Sequence, residues 1–292
     1  MSFITRFAPS PTGPLHLGHA YSAMLAHDMA VARNGSFLLR IEDIDQSRSR
    51  PEWEAQILSD LAWLGLSWPE PVMRQSTRMP IYQAALIALW RRGLLYPCTC
   101  TRRDIDAAAA APQEGAPLTG PDGTIYPGTC RPETPRIPEA PLPPARTALR
   151  LDMRAAQNSL GPSPLAFHET GAATDGRTGS IKTSWDEVRT GIGDIVLARP
   201  AMGTSYHLSV VLDDAAQGIT LVPRGADLFD ATVIHVILQR LLDLPTPTYH
   251  HHRLIRDETG KRLAKRDDAR AIGKYREDGK SLQDIRRMLN LN

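Results

Sequence analysis

The apolar residues from Phe3 to Phe7 mark a short strand at the start of the chain. Pro9 and Pro11 break it, Gly13 and Pro14 turn it, and a helix is predicted from about Leu15, because proline favours a first helical turn and glycine the turn before it. That helix runs apolar through Leu17, Met24 and Leu25 and stops near Asn34-Gly35. The run SFLLRI is continuously apolar and suits a strand covered on both faces, with Glu42, Asp43 and Asp45 just beyond its carboxyl end. Strand, helix and strand in this order make a βαβ unit, and sheets built of such units bind ligands beyond the carboxyl ends of their strands. Arg6, Ser10 and Glu42 fall on that edge.

Two amphipathic helices follow. Pro51 to Leu64 carries Trp53, Ile57, Leu61 and Leu64 on one side and stops at Gly65; Pro80 to Arg92 stops at Gly93. Trp53, Trp63 and Trp90 are read as packing residues. Beyond Leu95 the pattern dissolves into YPCTCTRRD, an alanine run, a Gly and Pro-rich loop, YPGTC and a proline-rich stretch from Pro132 to Pro144, the composition of an insertion with little regular structure of its own. Alternation returns at Thr147 to Met153, a strand, while residues 157–187 are polar and given no element, with GAATDGRTGSIKTS reading as loop. Strands are then expected at Gly193 to Arg199, Ser205 to Leu212 and Gly218 to Val222, with a helix from Asp227 to Leu242. His250 to His252 sit at the start of one more alternating strand and are read as structural; a short helix from Ser281 to Asn290 closes the chain.

With 292 residues, 42% hydrophobic and 23% charged, the chain has the make-up of an ordinary soluble globular protein of one elaborated domain or two. No apolar run approaches membrane-spanning length and no secretory leader is visible, so a cytoplasmic protein without membrane contact is expected. Three cysteines make no disulfide framework, which fits a reducing compartment. The net charge of +2 hides an asymmetry: Arg253 to Arg287 holds 12 Lys and Arg against 7 Asp and Glu, on a body that is slightly acidic. Such a tail attracts polyanions, although a solvated helical face is the commoner cause.

His16 and His19, three apart, share a face of the first turn of the first helix. A helix start offers unpaired N–H groups and the positive end of the dipole, so imidazoles there complete a site suited to nucleotide phosphates; a solvated or metal-bound pair is the plainer alternative. No P-loop is present, and Gly191-x-Gly193 lacks the third glycine of a dinucleotide fingerprint. Cys98, Cys100 and Cys130 are candidates to hold the insertion together through zinc, yet a tetrahedral site wants four ligands. The plain alternative is three half-buried thiols.

RFAPSPTGPLHLGH resembles the "HIGH" region of the glutamyl and glutaminyl branch of the class I aminoacyl-tRNA synthetases in nearly every position. R-I-E-D-x-D, Y-x-L-x-x-V-x-D-D and V-x-R-G-A-D-L are similar to further parts of that active site, and KRLAKR resembles the "KMSKS" loop with arginine in its first position and alanine for serine. The resemblance implies a Rossmann-type α/β catalytic domain of class I synthetase type with a zinc-bearing insertion and a short helical tail. The expected division is 1–96 and 191–250 for the two halves, 97–190 for the insertion and 251–292 for the loop and tail.

The same resemblance implies that His16, His19 and Lys265 hold ATP and stabilise its α-phosphate and the leaving pyrophosphate, with Mg²⁺ accompanying ATP. It implies that Arg6 and Tyr206 read the side-chain carboxylate of L-glutamate, Arg224 the other carboxylate, and Ser10, Glu42 and the Ala8 backbone the amino group. Two arginines for two carboxylates is the count that glutamate, rather than glutamine, requires. One zinc per chain is implied, on Cys98, Cys100, Tyr126 and Cys130, with a water or Asp104 as alternatives to the unusual tyrosine. The chain ends about 25 residues after the KMSKS-like loop, before any anticodon-reading region. With C-x-C and Y-x-x-x-C, this resembles the members of the family that attach glutamate to queuosine in the anticodon loop of tRNA(Asp), working as a monomer. A truncated charging enzyme acting on a tRNA 3′ end, a small nucleotidylyltransferase and a catalytically idle binding module are the competing readings.

Overall fold

A computed structural model describes residues 2–109, 119–134, 141–144, 146–171, 175–256 and 270–291. β1 (Ile4–Phe7), α1 (Leu17–Val31) and β2 (Ser36–Ile41) form the expected parallel βαβ unit, with Phe7 level with Leu39. Gly35 makes its entry possible: a Cβ there would lie 2.2 Å from the Phe3 carbonyl oxygen, to which Ser36 N donates at 2.8 Å. α2 (Pro51–Trp63) and α3 (Met79–Arg91) carry proline in the first turn, at Pro51 and Pro80, and end at Gly65 and Gly93 in left-handed conformations, with φ of 72° and 69°. Between them β3 (Met73–Arg74) lies parallel to the end of β2.

β4 (Leu95–Cys98) leads into α4 (Arg102–Ala109), a helix where the sequence suggested little regular structure. The hairpin β5 (Thr119–Gly120) and β6 (Gly123–Thr124) follows, then β7 (Ala148–Leu151) antiparallel to β4. The stretch 157–187 carries regular elements, and GAATDGRTGSIKTS, read as loop, holds a strand at Gly179–Thr183. These elements are the end of α5 (Met153–Leu160), β8 (Leu165–Glu169), β9 (Gly179–Thr183) and the start of α6 (Trp185–Gly191). β10 (Val196–Ala198) completes the sheet of β4 and β7.

Ser205 to Leu212, expected as a strand, is instead the start of α7 (Tyr206–Ala216), capped by Ser205, whose hydroxyl accepts from Leu208 N. His207 to Val211, Asp213 and Asp214 are all buried, so the helix lacks the one-sided rhythm by which surface helices are recognised, and its valines imitate a strand. β11 (Leu221–Gly225), α8 (Thr232–Leu241) and β12 (Thr248–His252) make a second parallel βαβ unit, joined by β8 parallel to β12 and β9 antiparallel to β8. α9 (Ile272–Glu277) and α10 (Leu282–Met288) end the chain, burying Ile272, Ile285 and Leu289 with α1 and α2.

β1 and β11 lie side by side: Ile4 N donates to Thr220 Oγ1 at 2.9 Å and Thr220 N to the Ile4 carbonyl at 3.0 Å. From that line one βαβ unit runs outward to β2 and the other to β12. Such a reversal opens a crevice at the carboxyl ends of the central strands. No helix among the described residues is long and apolar enough to cross a membrane.

Candidate active site and metal centre

His16 is extended (φ −123°) and caps α1 with its own ring: His16 Nδ1 accepts from Gly18 N at 3.1 Å, and His19 Nδ1 accepts from His16 N at 3.2 Å. The two imidazoles thus form a capping box and stand 3.8 Å apart. An Nδ1 that accepts leaves the proton of the neutral ring on Nε2, so both rings carry a donor at the positive end of α1. Gly18 lies close under the ring: a Cβ there would be 3.0 Å from His16 Cε1, so the imidazole would have to give way slightly.

Lys265 and the rest of Arg262 to Arg266 lie outside the described residues. Both flanks of that stretch rest on α1: His252 Nε2 is 2.7 Å from Ser22 Oγ, and Ile272 N donates to the Leu15 carbonyl at 2.8 Å beside a bridge between Ala271 and His16.

Beyond β1 and β2, the half-buried Ala8 and Ser10 flank Pro9, whose carbonyl accepts from Glu42 N at 3.0 Å. The acid group of Glu42 is held by Arg40, a fully buried arginine inside β2, at 3.1 Å. Arg40 also reaches Asp214 Oδ1 at 2.7 Å, and Arg6 Nε reaches the same oxygen at 3.1 Å. Burial pushes Asp214 up, but Arg6 and Arg40 outweigh it and bring the carboxyl below its usual range. Burial raises Glu42, only partly offset by Arg40 and Arg6. Arg6 is therefore not an unshared partner for a substrate carboxylate, as the simple count of two arginines assumed. Its guanidinium is held by Asp214.

Tyr206 opens α7 rather than a strand. Burial lifts its phenol above the ordinary value, Glu42 adds to the rise, and Arg224 and Arg6 draw it back. Arg224, 5% exposed at the end of β11, donates from Nε to His251 Nε2 (3.0 Å), from Nη1 to His235 Nδ1 (3.1 Å) and from Nη2 to Thr232 Oγ1 (2.6 Å). His251 Nδ1 is hydrogen-bonded to Glu169 on β8, whose other oxygen accepts from His251 N at 2.9 Å. His251 is thus more than packing: it carries the negative charge of Glu169 toward Arg224.

The sequence reading missed Arg40, Asp213, Asp214, Glu169 and His235. A charge inside an otherwise apolar strand was the available signal for Arg40, and the Asp-Asp pair that ends the Y-x-L-x-x-V-x-D-D motif was the signal for the acids. Asp213 joins α7 to α3, accepting from Tyr82 Oη and Gln75 Nε2 at 2.8 Å and from Arg78 Nε at 2.6 Å. For Glu169 and His235, no local pattern existed.

The three sulfurs of Cys98, Cys100 and Cys130 lie within 4.8 Å of one another and could hold a metal ion. Tyr126 Oη is 3.6 Å from Cys98 Sγ and 3.4 Å from Cys100 Sγ, and Cys100 Sγ is 3.4 Å from Cys130 Sγ. Four donors around one zinc, with bonds of about 2.0 to 2.3 Å, stand roughly this far apart. Arg150 fits an anionic donor set: its guanidinium lies 3.8 Å over the Tyr126 ring and its Nε is 3.3 Å from Cys98 Sγ. Burial opposes ionisation of Cys130, but hydrogen bonds with Tyr126 and at Thr99 bring the thiol down to about 6. Asp104 is not with them; it caps α4, accepting from Thr101 N and Oγ1 at 2.8 Å.

A largely parallel sheet with a reversal between β1 and β11, a helix start capped by two histidines and a buried network of arginines and carboxylates at the strand ends describe a doubly wound α/β domain. Residues 2–118 and 165–292 match the family "tRNA synthetases class I (E and Q), catalytic domain". The chain belongs to this family and is a ligase of the aminoacyl-tRNA synthetase type. It is 62% identical to the glutamyl-Q tRNA(Asp) synthetase of Rhodobacter capsulatus over 99% of this chain and 100% of that one. To the protein of that name from Symbiobacterium thermophilum it is 39% identical, over 96% and 83%. The glutamate-tRNA synthetase of Elizabethkingia anophelis superposes with a TM-score of 0.71 at 25% identity, covering 91% of this chain and 53% of that one, so the chain spans about half of that solved structure. The family match omits 119–164, which carries Tyr126 and Cys130, and resumes at β8.

Proposed function

We propose that the chain activates L-glutamate with ATP and Mg²⁺, releasing pyrophosphate, and then transfers the glutamyl group to queuosine in the anticodon loop of tRNA(Asp). The observation that carries the reading is the buried set of Arg6, Asp214, Arg40 and Glu42 at β1, β2 and α7, with Arg6 Nη1 donating at 3.5 Å to the carbonyl of Pro223, the neighbour of Arg224 on β11. Catalysis of this kind rests on position and charge rather than on covalent work by the protein. His16 and His19 donate to the α-phosphate and to the departing pyrophosphate, and Lys265 adds its charge there. Glu42, with Ser10 and the Ala8 carbonyl, takes the ammonium; Arg224 takes one carboxylate, and Tyr206 with the Asp214-bound Arg6 takes the other.

Zinc, one ion per chain, is our assignment for the Cys98, Cys100, Tyr126 and Cys130 set, where it would cross-link a segment poor in apolar residues. We place the catalytic halves in 1–96 and 191–250, the insertion within 97–190, which lends β8 and β9 back to the sheet, and the tail in 251–292. The protein is taken as a cytoplasmic monomer. Support for queuosine as acceptor comes from the names of the relatives; the basic balance of Arg253 to Arg287 suits RNA phosphates.

The test is transfer of radioactive glutamate to tRNA(Asp) with and without queuosine, and with its 3′ nucleotides removed. Label is expected to survive 3′ truncation and to vanish without queuosine. A requirement for the intact 3′ end would overturn the acceptor, and absence of glutamate-dependent ATP–pyrophosphate exchange would overturn the activity.

A further inference from the structure

Asp122 sits in the turn between β5 and β6, in the segment that carries the metal-site residues, and its carboxylate reaches into the catalytic half. His207 Nε2 of α7 lies 3.4 Å from Asp122 Oδ1; His207 Nδ1 lies 3.1 Å from His235 Nε2 of α8; His235 Nδ1 lies 3.1 Å from Arg224 Nη1. Both histidines are buried, at 7% and 2% exposure. The hairpin is closely seated, since a Cβ on Gly120 would lie 2.4 Å from the Gly191 carbonyl oxygen.

This chain of hydrogen bonds has one possible direction. A guanidinium only donates, so His235 Nδ1 must accept and the His235 proton must be on Nε2. That proton points at His207 Nδ1, which must then accept, placing the His207 proton on Nε2 and toward Asp122. Without the carboxylate, the Nε2 proton that this direction requires on buried His207 loses its acceptor, and the tautomer is destabilised by an unpaired N–H. The other tautomer would set donor against donor at His235, then at Arg224. Burial and the Arg224 charge keep His235 well below its ordinary pKa, which closes the escape of a doubly protonated ring.

We propose that Asp122 is a positioning residue for the amino-acid pocket: by accepting the last proton of the chain through His207 and His235 it stabilises the imidazole tautomers that aim Arg224, and so couples carboxylate recognition to docking of the β5–β6 hairpin. The inference rests on the proposed role of Arg224 in binding a substrate carboxylate.

The experiment pairs ¹⁵N NMR of the histidine rings with ATP–pyrophosphate exchange in the unaltered full chain and in Asp122→Ala, Asp122→Asn and His207→Phe. The unaltered chain should show Nε2–H tautomers at His207 and His235. Asp122→Ala should lose that tautomer at His207 and raise the glutamate KM about tenfold, within the usual range for coupled sites, with the ATP KM unchanged. His207→Phe, which breaks the chain from the α7 side, should do the same to KM, and Asp122→Asn, which still accepts, should recover most of the loss. Unchanged tautomers and unchanged glutamate KM in Asp122→Ala would overturn the coupling, as would equal damage from Asn and Ala. Exchange by the unaltered chain judges the functional reading separately. If it shows no dependence on glutamate, that reading fails, and the tautomers in Asp122→Ala decide the coupling alone.

Discussion

Arg6 Nε and Arg40 Nη1 converge on a single oxygen, Oδ1 of Asp214, at 3.1 and 2.7 Å. One carboxylate on α7 therefore holds two guanidiniums from the adjacent strands β1 and β2, and through Arg40 it also sets Glu42. Remove it, and two buried cations are left with Glu42 and with Asp213, whose Oδ2 is 3.9 Å from Arg40 Nε and which is already shared with Arg78. Asp214→Ala is expected to lose about 3 to 5 kcal/mol of stability, the cost of stranding a buried charge. Urea denaturation followed by circular dichroism measures it; a loss near zero would mean that the pair is solvated and the pocket floor is organised otherwise.

Arg6→Ala leaves Asp214 paired with Arg40, so the fold should survive while the pocket loses a cation. Glu42→Ala similarly removes the acid assigned to the ammonium group. Each variant is expected to lose glutamate-dependent exchange by roughly a hundredfold or more, as a desolvated charge partner implies. Near-normal exchange in either would show that the amino acid binds elsewhere.

Gly18→Ala separates the phosphate site from stability. The added methyl group lies 3.0 Å from His16 Cε1 and must displace that ring, while alanine in a helix gains up to about 1 kcal/mol over glycine. Thermal stability should hold and exchange should fall by roughly tenfold, since the ring must shift by tenths of an ångström, less than the displacement of about 1 Å that costs about a hundredfold. Full activity would remove His16 from the assigned role.

Elemental analysis of chelator-free protein should find one zinc per chain, and Cys98→Ser should lose it. Because metal binding is folding energy for such a segment, the variant should also melt earlier. Stoichiometric metal in Cys98→Ser would refute the donor set.

Stability should fall as pH drops below about 6.5. Burial lowers His235, His251 and His252 from the ordinary 6.5, His252 to about 4. A group whose folded pKa is depressed is neutral in the native state while the unfolded chain already takes up its proton. Its contribution is therefore present above 6.5 and is lost as pH falls toward the folded value. For His252 alone that loss is on the order of 3 kcal/mol between pH 6.5 and 4. Urea melts from pH 7 to 5 should show the slope, and His252→Gln should flatten it; an identical slope in the variant would place the titration elsewhere.

Local pattern was enough for the first βαβ unit, the histidine pair at the start of α1, the cysteine cluster and the family. Strand ends, proline at a helix start and glycine at its stop are decided by neighbours within a few residues, and a long motif is visible without knowing what packs against it. Tertiary structure alone decided that Tyr206 begins a helix, that β8 returns from the insertion to lie beside β12, and that Arg6 shares Asp214 with Arg40 across about 200 positions of sequence. The reason is physical. An element buried on all sides carries no periodic signature of its exposed face, and a buried ion must find its partner in space, wherever the chain has placed it.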